Sequence, residues 1–175
     1  PSVCRFAQFR RDAEGPALAQ AGVLRNVGAE AVLADQNGLY FFAIGEHHRK
    51  DLAVSAPVVV LAAIAGRTSR IRLGSAVTVL SSDDPVRVFQ RFSTLDAVSN
   101  GRAEVILGRG SFIESFPLFG YELERYEQLF EEKLQLFAEL RKELPVTWSG
   151  TTRGGLTDRR AFRPTLLVVP ENTTS

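Results

Sequence analysis

Leu39-Tyr40-Phe41-Phe42-Ala43-Ile44-Gly45-Glu46-His47-His48 is the stretch from which the rest of this 175-residue chain can be read. An uncharged, mostly apolar run ends in an acid and the only two histidines in the sequence. The pattern predicts a strand over 39–44 with ionisable groups at its C-terminal end, where α/β barrels keep their chemistry. Before it, Leu18, Val23, Val27, Ala31 and Ala34 approximate one apolar helical face, which predicts a helix over 17–36 stopped by Asn37-Gly38. A weaker strand signal covers 3–9, interrupted by Arg5 and Gln8.

After the histidines the same alternation repeats. Ser55 is placed to cap a helix that starts with Pro57 and runs to about Arg67, because Pro in the first turn removes no intrahelical hydrogen bond. That helix is apolar nearly all round, so both of its sides are expected to be covered. A strand is predicted over 71–80. Asp84-Pro85 repeats the cap-then-proline start for a helix lined by Val88, Phe89, Phe92, Leu95 and Val98, which Asn100-Gly101 ends. Ala103 to Leu107 reads as the next strand and breaks at Gly108-Arg109-Gly110-Ser111. A last helix, over about 124–142, turns Tyr126, Leu129, Phe130, Leu134, Phe137 and Leu140 inward, with the charge run 122–133 as its solvated face. Apolar strands without alternation, separated by helices, indicate a parallel sheet covered on its faces. About four strand–helix units fit an open doubly wound sheet or half of an eightfold barrel equally well.

Composition narrows the function classes. The formal net charge of +1, carried by 18 Arg and 3 Lys against 20 acids, gives no global field for nucleic acid or anionic lipid. One cysteine, Cys4, excludes an internal disulfide and a cysteine-built metal site and fits a reducing compartment. The longest apolar stretch, 56–65, is far short of the roughly 20 residues that span a bilayer. The expectation is a cytoplasmic protein with no membrane and no nucleic-acid partner.

Several segments together carry a resemblance. Gly45-Glu46-His47-His48, Ser55-Ala56-Pro57, Ile71-Arg72-Leu73-Gly74-Ser75-Ala76-Val77-Thr78-Val79-Leu80, Asp84-Pro85-Val86-Arg87, Gly101-Arg102-Ala103-Glu104 and Gly108-Arg109-Gly110-Ser111-Phe112, in this order and spacing, resemble the bacterial luciferase-like flavin-dependent monooxygenases over roughly 31–150. The resemblance implies an α/β fold, a partial (β/α)8 TIM barrel with about the first four βα units and parallel strands. It divides the chain into a luciferase-like partial barrel domain, 1–150, and a divergent C-terminal tail, 151–175. A complete eightfold barrel takes about 250 residues, so an N-terminal half, from a truncated frame or a fragment, is expected; the chain also lacks methionine. The implied activity is that of a flavin-dependent oxidoreductase that uses reduced FMN and O2 to oxygenate a small organic substrate. In some relatives the deazaflavin F420 takes the place of FMN. Electrons would come from NAD(P)H directly or through a flavin reductase. The alternatives are an F420-dependent oxidoreductase and a noncatalytic half-barrel acting as an assembly or interaction subunit. Unpaired strand edges and an apolar interior would drive such a half to a homo- or hetero-dimer.

The resemblance also assigns residues. His47 would sit near the reactive flavin edge, where an imidazole gives and takes a proton at neutral pH; the competing reading is a strand-end residue that bonds to backbone. Neighbouring strand residues point to opposite faces, so His47 and His48 are not expected to share a role, and a metal pair is not expected. Glu46 is either a helper for His47 or a barrel-interior charge paired with an arginine. Arg109, between two glycines with Gly110 and Ser111 following, would hold the FMN phosphate through a two-point guanidinium contact. The competing reading of Arg109 is an ion pair with Glu46, Glu104 or Glu114. Ala76, Val77 and Thr78 would lie beneath the flavin ring, with a non-proline cis peptide at Ala76-Val77 by resemblance; an ordinary strand is the competing reading. Phe112, Phe116, Leu118 and Phe119 form an apolar loop that either packs over the mouth or touches substrate.

Overall fold

Asp84 shows how local sequence sets up the architecture: its side chain accepts hydrogen bonds from the Val86 and Arg87 backbone N–H groups at 2.9 and 3.1 Å, with Pro85 as the first helical residue. The computed structural model of this protein describes residues 1–5, 20–142 and 144–161. Strands β1 (Ser2–Arg5), β2 (Phe41–Ile44), β3 (Arg72–Val79) and β4 (Ala103–Gly108) form one sheet in the order 1-2-3-4, every neighbouring pair parallel. Helices α1 (Gln20–Gln36), α2 (Pro57–Ala65) and α3 (Pro85–Val98) connect them. After β4 come a short α4 (Ser115–Phe119) and the longer α5 (Tyr126–Leu140). An antiparallel pair, β5 (Val146–Trp148) and β6 (Leu156–Arg159), follows. Four strand–helix units with sequential parallel order are the partial barrel anticipated from the sequence. The expected strand residues 6–9, helix residues 17–19 and the apolar stretch 166–169 lie outside the described residues.

The core lies between the sheet and its helices. Phe42, Ile44 and Leu73 of the strands pack with Val27, Ala31, Leu61, Ile64, Val88 and Leu95 of the helices. Several sequence expectations are corrected here. Ser55 does not cap α2: Ala56 occupies the cap position with no side-chain bond, and Pro57 alone marks the start. Nor is α2 covered all round, since Val59 is 71% exposed and Ala62 and Ala63 are exposed beside it; Val98 of α3 is likewise exposed. On α5 the inward stripe is Leu129, Lys133, Leu136, Phe137 and Leu140, so Leu134 turns out and Lys133, taken from sequence as solvated, is 1% exposed. The helical period makes position 133 an inward one, and the side chain there is a lysine. Its Nζ donates to the Ser81 carbonyl at 2.7 Å and sits 3.7 Å from the Tyr121 ring centre.

The N-terminal ends of the strands are knitted by two charged residues. Asp35, at the end of α1, accepts from the backbone N–H groups of Ser69, Arg70 and Ile71 at 3.1, 3.1 and 2.7 Å. Burial opposes ionisation of Asp35, but these bonds hold its pKa below the usual carboxylate value. Arg102 donates to the carbonyls of Ala65, Thr68, Ile71 and Ser99 and to the Thr68 hydroxyl. These bonds fix the turn before β3 and the start of β4, so the opposite ends of both strands project from a rigid base.

Candidate active site

At those opposite ends the strands give way to glycine. Gly45 follows β2, and a Cβ there would come within 2.7 Å of the His47 ring. Gly108 ends β4, where a Cβ would meet Val77 at 2.5 Å. Gly110, with φ at +86°, faces Val79 at 2.7 Å in the same sense. The β3–β4 register slips between Ala76 and Thr78, and the Ala76–Val77 peptide bond is cis, at the position where the resemblance placed one. Val77 therefore stands forward of the ladder into space that glycine leaves open. The result is a cavity of about 490 Å³, a size typical of small-molecule sites, over a floor of backbone and valine.

The cavity gathers most of the residues singled out from sequence. Glu46, His47, Ala76, Val77, Arg109, Gly110 and Ser111 all border it, together with His48, Phe112, Glu114, Ser115 and Tyr126. Thr78 does not: it is buried, and its hydroxyl bonds Ser75 Oγ at 2.9 Å behind the strand. Ser115 was not identified from sequence, and Glu114 was weighed only as an ion-pair partner of Arg109. Tyr126 read only as an inward helix position, yet its hydroxyl donates to the Gly110 carbonyl at 2.9 Å and braces the glycine turn.

The two histidines take different partners. His47 is buried and meets the Phe112 ring edge-on at 5.3 Å, and burial pushes its pKa below the usual value even though Glu46 opposes the shift. It is therefore a neutral imidazole at pH 7, able to accept a proton. His48 lies 3.0 Å from Glu46 Oε1 and packs edge-on against Phe119. Glu46 Oε2 accepts from the Val79 N–H at 3.2 Å. Glu46 thus bonds to His48 and to the end of β3, and neither of its two expected partners, His47 or an arginine, receives that bond. The carboxylate fastens the β2 exit to the β3 exit across the cavity.

Arg109 pairs with Glu127 at 3.2 Å rather than with Glu46, Glu104 or Glu114, and lies 5.3 Å from the Phe130 ring centre. Both partners of that pair are about half exposed. Exposed pairs contribute roughly 0–1 kcal/mol, so the guanidinium can exchange Glu127 for a doubly charged anion at little cost. Of the apolar loop, Phe112 lines the cavity and Phe116 is buried and packs, whereas Leu118 and Phe119 are exposed away from it.

A parallel βα array with an open cavity at the C-terminal strand ends defines the class as a barrel-type α/β protein. The sequence model of the luciferase-like monooxygenase family matches residues 4–172, and the chain belongs to that family. An uncharacterized protein of Sinorhizobium fredii is 35% identical over 147 residues, which cover 83% of this chain and 42% of that protein. The N-acetyl-S-alkylcysteine monooxygenase of Bacillus subtilis is 31% identical over 131 residues, 73% of this chain and 39% of that enzyme. Among solved structures, the oxygenating constituent of 3,6-diketocamphane monooxygenase from a Pseudomonas putida plasmid, in complex with FMN, superposes with a TM-score of 0.77 at 19% identity over 89% of this chain and 43% of its own. An F420-dependent secondary alcohol dehydrogenase gives 0.71 at 17% identity over 93% and 48%. The chain spans about two fifths of the length of the curated relatives it matches. No helix among the described residues is long and apolar enough to cross a membrane.

Proposed function

We propose that the cavity at the ends of β2, β3 and β4 binds a flavin-type cofactor, and that the whole protein uses reduced FMN and O2 to oxygenate a small organic substrate. The observation that carries this reading is the cavity lined by Ala76, Val77, Gly108, Arg109, Gly110 and Ser111 beside His47, where glycine lets Val77 and Val79 pack close beneath it. A flat tricyclic ring needs such a floor. Bound there, a reduced flavin supplies the electrons that let O2 deliver one oxygen atom to substrate. The chain's own residues do the rest. Ala76 and Val77 support the ring, with Thr78 buttressing the strand from behind through Ser75. Arg109 takes the phosphate, assisted by the backbone of Gly110 and Ser111. His47, neutral at pH 7, accepts or returns a proton beside the ring, and Glu46 keeps the two strand exits in register.

Electrons from NAD(P)H, directly or through a flavin reductase, complete the scheme. F420 is the second cofactor reading, favoured by the likeness to an F420-dependent dehydrogenase. Among the described residues both edge strands of the sheet, β1 and β4, have one neighbour only, which supports pairing with a complementary half, a second copy or another chain. A noncatalytic half-barrel that assembles in this way is the alternative for this chain alone. The lone, exposed Cys4 supports a cytoplasmic setting.

Anaerobic titration with FMN, FMNH2 and F420, followed by absorbance and fluorescence, tests the reading. Saturable one-to-one binding is expected, weakened about tenfold in Arg109→Ala by loss of charge-assisted contacts. Absence of saturation at high micromolar cofactor sinks it and leaves the assembly reading, which sedimentation then checks.

A further inference from the structure

The fixed charge around the cavity is mixed. Among the described residues that line it, Arg109 is the only arginine or lysine, while Glu46 and Glu114 carry the opposite sign. Arg49 offsets Glu114 at 3.2 Å without lining the cavity itself. An anion entering this space therefore depends on Arg109 for its attraction. That guanidinium is already engaged. Its Nη2 lies 3.2 Å from Glu127 Oε2, and its Cζ lies 5.3 Å from the Phe130 ring centre. Both contacts come from the start of α5, which also sends the Tyr126 hydroxyl to the Gly110 carbonyl at 2.9 Å. Glu127 itself is not among the lining residues.

The two contacts on Arg109 differ in what an anion does to them. A ring takes the flat side of a guanidinium and leaves its N–H edge available, so Phe130 can keep Arg109 in place while that edge bonds a ligand. A carboxylate occupies N–H donors and cancels the charge, the two things a phosphate needs. The Arg109 and Glu127 side chains are 46% and 60% exposed, so the pair is open to exchange and water solvates the carboxylate that is displaced.

We propose that Glu127 is a built-in competitor for the anion at Arg109, a specificity-determining residue that holds down affinity for ligands carrying a phosphate and leaves uncharged ligands untouched. The proposal rests on the reading of Arg109 as the residue that takes the phosphate. A phosphate monoester, doubly charged above its second pKa of about 6, outweighs a single carboxylate and displaces it; an uncharged ligand gains nothing by doing so. Displacing Glu127 costs every phosphate ligand part of its affinity, and a cofactor held in this way stays exchangeable.

Glu127→Gln removes the charge and keeps the size, and unfolding curves verify an intact fold. Dissociation constants for FMN and riboflavin, which differ only in the phosphate, follow from flavin fluorescence. Phenyl phosphate and phenol, followed by ligand-observed NMR, extend the comparison beyond flavins. Glu127→Gln should tighten FMN and phenyl phosphate about three- to fivefold, the range an exposed pair can set, and leave riboflavin and phenol unchanged. The same substitution made on Arg109→Ala should give no gain, because nothing is left to compete for. A gain of equal size in both backgrounds marks Glu127 as a long-range charge only, and weaker FMN binding in Glu127→Gln marks it as a residue that orients Arg109; either result overturns the proposal. Unchanged affinity for both phosphates overturns it too. If FMN fails to saturate while Glu127→Gln still tightens phenyl phosphate, the flavin reading falls and the competitor stands. Phosphates that bind no better than their uncharged partners, with or without Glu127, overturn both.

Discussion

The two ends of the sheet are built on opposite principles. At the N-terminal ends, Arg102 makes five hydrogen bonds and Asp35 accepts three, all of them spanning elements or closing turns. At the C-terminal ends, side chains are withdrawn at Gly45, Gly108 and Gly110, and Arg109 is held by a half-exposed pair with Glu127 and by the Phe130 ring. At one end polar groups tie the fold together throughout; at the other they border an open cavity. Barrel proteins divide stability and chemistry in this way because catalytic groups must face an open space, and that space removes packing.

The sharpest break of this contrast is Arg102→Met. Several carbonyls lose their only charged donor at once, and a loss of about 3 kcal/mol in unfolding free energy is expected from chemical denaturation. Cofactor affinity measured on the remaining folded protein should barely change. The reciprocal change is Gly108→Ala, whose Cβ would press on Val77. Overpacking of this kind costs about 1–3 kcal/mol, but cofactor titration should show the larger relative effect, a loss of tenfold or more. If Gly108→Ala bound cofactor normally, the glycine floor would not be the functional surface.

Two smaller effects test the borders between the regions. Burial drives the Lys133 pKa down to about 8 from a normal 10.5, although Asp83 and Asp84 oppose the shift. The folded state therefore sheds a proton before the unfolded state does, and between pH 8 and 10 the unfolded chain binds more protons. Stability should rise with pH across that window, and the rise should vanish in Lys133→Met; denaturation midpoints at closely spaced pH values provide the measurement. Glu132 behaves in the opposite sense. Burial would raise its pKa, but hydrogen bonds from Thr151 and Thr152 hold it at about 2. The stabilisation it provides is complete above pH 4.5 and is lost as pH falls towards 2. Near-ultraviolet circular dichroism of Trp148, in the strand before these threonines, should report the loosening, and Glu132→Gln should show it already at pH 7.

Much of the site was legible because its residues are rare or grouped: both histidines follow one acid, and Arg109 lies between two glycines. Glu114 and Ser115 carried no such signal. An acid and a serine at the start of a short helix are ordinary until the fold sets them in the cavity wall. Lys133 was misread for a related reason, since a charge on a helix normally marks the solvated face, and only its 3.6-residue spacing from Leu129 and Leu136 hinted otherwise.

By itself, the sequence determined the alternation of strands and helices, the Asp84-Pro85 helix start and the family, because periodicity, capping and spaced motifs are local and survive without coordinates. The tertiary structure decided which charges meet. Glu46 takes the Val79 N–H, Arg109 pairs with Glu127, and Lys133 turns inside to the Ser81 carbonyl. Those choices depend on distances between elements far apart in the chain, set by packing that no single segment encodes.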